Sequence, residues 1–398
     1  MRNLLINHNA SANTEATDNN LMLNNFTTTS QTQKVIVLFG TRPEAIKLAP
    51  VIFELKKNPN FETIVVSSSQ HTDLLKPFLQ IFNIKVDYDL QVMTDNQTPN
   101  SVCAKVLQGL DKIFDDEKPD IILVQGDTTT AFAGAFAGFN RKIKVGHVEA
   151  GLRSGNLYSP FPEEANRRLV TQIADFHFAA THKNCQVLKN EGISGKQIFL
   201  TGNTVVDSLH FILQHSTPSE KIAGLIEKTA NLKRILLTTH RRESFGDKMS
   251  GNLLELKEFV SQQTDTCLIF PVHPNPNVRQ ITNEILANQE RVYLLEPLDY
   301  VDFTALMKEA WLIVSDSGGV QEEAPSLGKP LLILRENTER PEAIEAGVAK
   351  LVGTKSLSEM LKANYNDETW LNSVKQTENP FGDGNAAKRI VEILANAK

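Results

Sequence analysis

"KVIVLFGTRPEAIKLAPVIFELKK", residues 34–57, is the stretch on which the fold turns. "KVIVLF" is a short unbroken apolar run, the pattern of a strand buried on both faces. Gly40-Thr41-Arg42-Pro43 then redirects the chain. Pro43 suits the first turn of a helix, where a missing N–H costs nothing. "EAIKLAPVIFELKK" spaces its apolar residues as a helix does, with Pro50 as a candidate kink. A two-face-buried strand leading directly into a helix is the opening unit of a parallel sheet covered by helices.

The same alternation runs outward from this unit. Predicted strands follow at "TIVVSS", "DIILVQG", "KVGHV", "DFHFAA" and "QIFLTG", with helical segments between them. A polar break covers residues 214–233. A second series then begins: "RILLTT", "CLIFPV", "VYLLEP", "WLIVSD", "PLLILR" and "AKLVG". The reading is an α/β protein with two doubly wound domains, residues 34–208 and 209–375, facing a cleft. Residues 376–398 end in a helix expected to pack back across the hinge. Residues 1–33 are rich in Asn, Thr and Ser and carry three charged residues, so a flexible polar extension is expected there.

Bulk properties exclude several classes. The chain has 398 residues, 41% hydrophobic and 22% charged, as in ordinary globular proteins of two domains. Net charge is −6 and the pI is near 5.9, so no basic field invites nucleic acid or an anionic membrane. No apolar run approaches the roughly 18 residues that span a bilayer, and the N-terminus lacks a signal-peptide core. A cytoplasmic location is expected. Cys103, Cys185 and Cys267 lie far apart without a CxxC pair, which predicts buried free thiols and no metal site.

In open α/β sheets ligands bind at the carboxyl ends of the strands, where the unusual residues gather. Gly40, Arg42 and Lys47 follow the first strand; Asp127 and three threonines follow "DIILVQG". Glu149 follows "KVGHV" and lies in "GHVEAGLRSGNLYSPFPEEANRR", residues 146–168, which also holds Arg153, Glu163 and Arg167. One turn past Glu163, Arg167 reads as its charge partner or as a ligand contact. In the second half, His240, Arg241 and His273 stand at strand ends, and Ser317-Gly318-Gly319 opens a helix carrying Glu322 and Glu323. Backbone N–H groups at such a turn can hold a phosphate. Singly, Asp127 reads equally well as a helix cap, Glu163 as a complement to the helix dipole, and His240 as a structural histidine. Together they read as a cleft for acid/base work on an anionic, hydroxyl-rich ligand.

"FGTRPEAIKLAP", "QGDTTT", "GHVEAGLRSG", "PFPEEANRR", "TGNTVVDSL", "THRRESFG", "PVHPNPNVR", "SDSGGVQEEAPSLGKP" and "ENTERPEA", in this order, closely resemble the non-hydrolysing bacterial UDP-N-acetylglucosamine 2-epimerases. The resemblance implies a glycosyltransferase-B-like fold of two Rossmann-like domains. It also implies interconversion of UDP-GlcNAc and UDP-ManNAc for surface polysaccharide synthesis, through elimination of UDP to 2-acetamidoglucal and re-addition. A homodimer is implied, with a UDP-sugar as substrate and no metal or other cofactor. Carried over by motif, Asp127, Glu149, Glu163 and His240 are catalytic candidates. Arg42, Lys47, Arg167, Phe303, Ser317, Gly318, Gly319, Glu323 and Arg340 are substrate-binding candidates, Glu323 for the ribose and Phe303 beside the uracil. Leu298 departs from a family Gln. Some members bind a second, activating UDP-GlcNAc, and Gln70, Arg241 and His273 match positions used there. Asp73 and Asn96 depart from that pattern, which leaves activation open. Rival readings are a hydrolysing epimerase, an epimerase of a UDP-diacetamido uronic acid, a glycosyltransferase and a non-catalytic nucleotide-sugar sensor.

Overall fold

The computed structural model describes residues 32–69, 76–94, 97–239, 247–353 and 356–397. Seven strands build the first sheet: β1 (Gln33–Phe39), β2 (Phe61–Ser67), β3 (Tyr88–Asp89), β4 (Ile121–Gln125), β5 (Lys144–Ala150), β6 (Phe176–Ala179) and β7 (Ile198–Leu200). Six build the second: β8 (Lys233–Thr238), β9 (Thr266–Pro271), β10 (Val292–Leu295), β11 (Leu312–Ser315), β12 (Leu331–Ile333) and β13 (Ala349–Leu351). Every pairing is parallel. β1 shows why its apolar run is unbroken. Val35, Val37 and Phe39 enter the core on one face of the sheet, Ile36 and Leu38 that on the other.

The strand orders are β3-β2-β1-β4-β5-β6-β7 and β10-β9-β8-β11-β12-β13. In each sheet the winding reverses beside the first strand, between β1 and β4 and between β8 and β11. A reversal sends neighbouring connections to opposite faces and leaves a crevice at the strand ends, where ligands bind in this architecture. Both sheets belong to one compact unit, Thr32–Lys398.

Pro50 does not break the helix Arg42–Lys57. A proline cannot donate to the carbonyl four residues back, here that of Ile46. The Ser208 hydroxyl, from helix Thr204–His215, donates to that carbonyl instead. The final helix, Ala386–Asn396, buries Ala387, Ile390, Val391 and Leu394 in the core of the first sheet's lobe. Asp207 caps it, accepting from the N–H groups of Ala386 (3.2 Å) and Ala387 (2.9 Å). The final helix thus packs on the lobe of the first sheet, although it follows the second sheet in sequence.

β3 has two residues and no apolar run, so nothing in the sequence predicts it. The expected burial of all three cysteines needs correction. Cys103 is half-buried, whereas Cys185 and Cys267 are buried; all three are free thiols. Among the described residues no helix is long and apolar enough to cross a membrane.

Candidate active site

A cavity of about 560 Å³ opens between the two crevices. The first lobe contributes Arg42, Lys47, Asp127, Glu149, Glu163 and Arg167 to its lining. The second contributes Phe303, Ser317, Gly318, Gly319, Glu323 and Arg340. The folding of two distant strand ends brings these side chains to one space.

Glu149 sits where β5 slips register against β6, at a bulge between Val148 and Ala150. Its φ is +66°, in the left-handed region that non-glycine residues seldom occupy. The bulge turns its side chain out of the strand alternation and into the cavity. There its carboxylate meets the Lys47 ammonium at 2.6 Å, accepts from the Gln125 amide and lies 3.8 Å from the Arg340 guanidinium. Burial pushes the Glu149 carboxyl above the usual range; Lys47 opposes the rise and Glu322 adds to it.

Glu163 is the first residue of helix Glu163–Ile173, after the cis bonds Ser159–Pro160 and Phe161–Pro162. Its Oε2 is buried without a hydrogen-bond partner among the described residues. An unsatisfied buried oxygen is costly, and a ligand hydroxyl or C–H proton acceptor role would explain its retention. Asp127 follows Gly126, whose φ is +68°. The Asp127 carboxylate is held 2.5 Å from Arg167 Nη2, and its carbonyl accepts from Asn166 at 2.8 Å.

The expected pairing of Arg167 with Glu163 is not made. Arg167 bridges Asp127 and Glu164, the latter at 3.2 Å. Glu164 is fully buried and also accepts from the Ser154 N–H and from Arg168. Side chains three apart on a helix lie on one face as readily as those four apart, and Glu164 is the carboxylate that points at Arg167. Arg153 turns away from the cavity to Glu191 and Thr171.

In the second lobe Ser317 precedes helix Gly318–Glu323, and its hydroxyl does not cap the helix. A Cβ on Gly318 would come 2.5 Å from Arg340 Nη1, so the guanidinium lies against the bare glycine backbone. Arg340 Nε donates to Glu322 at 2.6 Å. Glu323 accepts from the Tyr300 hydroxyl at 2.5 Å. Burial raises its carboxyl to about 7 against the Tyr300 bond. Phe303 offers a half-buried ring at the rim. Burial also lowers the Arg42 guanidinium, with Glu323 opposing.

Several residues went unassigned in the sequence. Glu44 is buried and accepts from the N–H groups of Gly40 (3.1 Å) and Thr41 (2.8 Å) and from the Thr128 hydroxyl (2.7 Å). Burial raises its carboxyl to about 7. The Thr41-x-x-Glu44 spacing of a capping box was the available signal. Gln125 and Tyr300 had none, and Glu322 was placed on the helix after Ser317-Gly318-Gly319 without a role. His273 lies two residues past the end of β9, where its Nδ1 accepts from the Asn275 N–H at 3.2 Å, and it does not line this cavity. His240, Gln70, Asp73, Asn96 and Arg241 lie outside the described residues. Among the described residues, no group of three or more His, Cys, Asp or Glu side chains is placed to hold a metal ion.

Chemically, the cavity offers buried carboxylates in contrasting settings, cations from both lobes, and open backbone at Gly318 and Gly319. This combination suits proton transfer beside a diphosphate. The family model described as UDP-N-acetylglucosamine 2-epimerase matches residues 53–395. A UDP-N-acetylglucosamine 2-epimerase of Salmonella typhimurium is 47% identical over 369 residues, 91% of this chain and 98% of that protein. One from Bacillus subtilis is 46% identical over 365 residues, 91% of this chain and 94% of the relative. The solved Neisseria meningitidis UDP-GlcNAc 2-epimerase bound to UDP-GlcNAc superposes with a TM-score of 0.85 at 43% identity, over 92% of this chain and 100% of that one. The S. aureus MnaA-UDP structure gives a TM-score of 0.85 at 42% identity, covering 92% and 96%.

Proposed function

The chain belongs to the UDP-N-acetylglucosamine 2-epimerase family, and from that premise we propose that it interconverts UDP-GlcNAc and UDP-ManNAc by elimination and re-addition of UDP. One observation carries the reading. Asp127, Glu149 and Glu163 line the same cavity as Ser317–Gly319, Glu323 and Arg340 of the opposite lobe.

Inverting C2 of the sugar requires removal of a weakly acidic C–H proton. Departure of UDP from C1 assists it: the C2–H electron pair becomes the C1–C2 double bond of 2-acetamidoglucal as the C1–O pair leaves with UDP. In re-addition UDP attacks C1, and C2 takes a proton on its other face. Two faces demand two proton-transferring groups. Glu149, its carboxyl raised by burial, and Glu163, with an unpartnered oxygen, are assigned these roles. Asp127, fixed by Arg167, orients the sugar. Lys47, Arg42 and Arg340 meet the charge that builds on the departing diphosphate, with the N–H groups at Gly318 and Gly319. Glu323 takes the ribose hydroxyls and Phe303 the uracil. His240 is assigned to the diphosphate side on the family motif alone. UDP-ManNAc so formed would supply ManNAc to surface polysaccharide.

The test is NMR of the purified chain with UDP-GlcNAc in deuterated water. UDP-ManNAc labelled at C2 is expected. Free ManNAc would replace this reading with a hydrolysing epimerase, and failure to turn over UDP-GlcNAc would overturn it.

A further inference from the structure

Two of the cavity-lining cations, Lys47 and Arg340, share a second acidic partner besides Glu149. Glu322 is buried, with 2% of its surface exposed. Its Oε2 lies 3.1 Å from Lys47 Nζ, and its Oε1 accepts from Arg340 Nε at 2.6 Å. Four side chains therefore alternate in charge around one buried group: Glu149, Lys47, Glu322, Arg340. Two come from each lobe, and the group is neutral as a whole. Nothing in the assigned chemistry uses Glu322, yet its burial is costly unless the cations are there to pair with it.

We propose that Glu322 is a positioning residue for the epimerisation: it holds the Lys47 ammonium and the Arg340 guanidinium where they meet the departing diphosphate, and it balances their charge on Glu149. The proposal rests on the epimerase reading given above.

The geometry supports both parts. Lys47 comes from helix Arg42–Lys57 of the first lobe, Arg340 from the turn before helix Pro341–Glu345 of the second, and Glu322 joins them. Arg340 is further pressed on Gly318, so its position bears directly on the turn assigned to the diphosphate. Glu149 is faced by Lys47, by the neutral amide of Gln125 on β4, by Glu322 and by Arg340. Of these only Glu322 pushes its carboxyl up; both cations pull it down. Without Glu322, two cations would act on Glu149 unopposed, and its carboxyl would give up the proton more readily.

The decisive experiment compares pH profiles of kcat/KM for the full chain and Glu322→Gln with UDP-GlcNAc. One limb is expected to move to lower pH by about one unit or more while the other stays, with kcat reduced at least tenfold. Superimposable profiles with unchanged kcat would overturn the proposal. Should the Gln variant fail to fold, Glu322→Asp decides. It keeps the charge but cannot reach both cations, so kcat should fall at least tenfold with both limbs within about 0.3 unit of wild type. Wild-type kcat in that variant would overturn the positioning role. A wild-type chain that does not epimerise UDP-GlcNAc would instead refute the underlying reaction, so the two failures are distinguishable.

Discussion

At the scale of single residues, the carboxylates divide by what they touch. Glu149→Gln and Glu163→Gln keep shape and remove the proton transfer proposed for these residues. Each is expected to lower kcat by about 10²–10⁴-fold, with loss of deuterium exchange at C2. Near-normal exchange in both would remove them from that role. Gly318→Ala places a methyl in the space of the Arg340 guanidinium. We expect UDP affinity, measured by calorimetry, to fall about tenfold, the loss of one charge-assisted contact. Glu44 gives a pH signature. Its folded pKa of about 7 stands above the unfolded value. The stability it lends is therefore full below the unfolded value and is lost as pH rises through the folded one. Relative to wild type, Glu44→Gln should gain in unfolding midpoint between about pH 5 and about pH 8. A constant offset would show that Glu44 does not titrate there. Asp127, Glu149 and Glu323 were legible in the sequence because strand ends are where this architecture puts ligands. Glu322 was legible only as a position on the helix after Ser317-Gly318-Gly319, not as a partner of Lys47 and Arg340. It reads as one more acid in a polar run, and its significance comes from Lys47 in the other lobe.

At the scale of elements, the strand–turn–helix unit at residues 34–57 was readable because burial on both faces leaves an unbroken apolar run. The continuity of helix Arg42–Lys57 through Pro50 was not, since it depends on a hydroxyl 162 residues away. Ser208→Ala leaves the Ile46 carbonyl without that donor. The cap on the final helix is similarly non-local. Asp207→Ala removes an acceptor from the N–H groups of Ala386 and Ala387 and should cost about 1–2 kcal/mol in urea unfolding, the usual range for a lost N-cap. An unchanged midpoint would mean that hydrophobic contacts alone seat the helix.

At the scale of the whole molecule, residues of both lobes line one cavity, and buried charge links them across it. Thr181 of the first lobe also donates to Glu342 of the second at 2.7 Å. A ligand that touches both lobes stabilises their closed arrangement by mass action, by about 2.7 kcal/mol at a hundred times its Kd. UDP should therefore raise the thermal midpoint well beyond the effect of uridine at equal concentration, since uridine lacks the diphosphate proposed to engage Lys47 and Arg340. Equal effects would place the binding energy on the base and ribose alone. The two parallel sheets were legible from the two series of apolar runs, whereas the polar stretch 214–233 read as a break holds the helix Glu220–Lys228, which buries Ile222. Which charges meet across the cleft was not legible, because periodicity describes each lobe by itself.

The left-handed backbone of Glu149 has a consequence for descent as well as for catalysis. A glutamate there is a poor choice for stability, since glycine alone adopts that conformation without steric cost. Glu149→Gly should accordingly unfold later than Glu149→Ala by about 1 kcal/mol, although both lack the acid. In a lineage freed from making the sugar nucleotide, this position would drift toward glycine or asparagine early, and folding would improve as it did. Homologues that keep glutamate at this position, against the folding gain that glycine would bring, would point to selection for the proposed proton transfer.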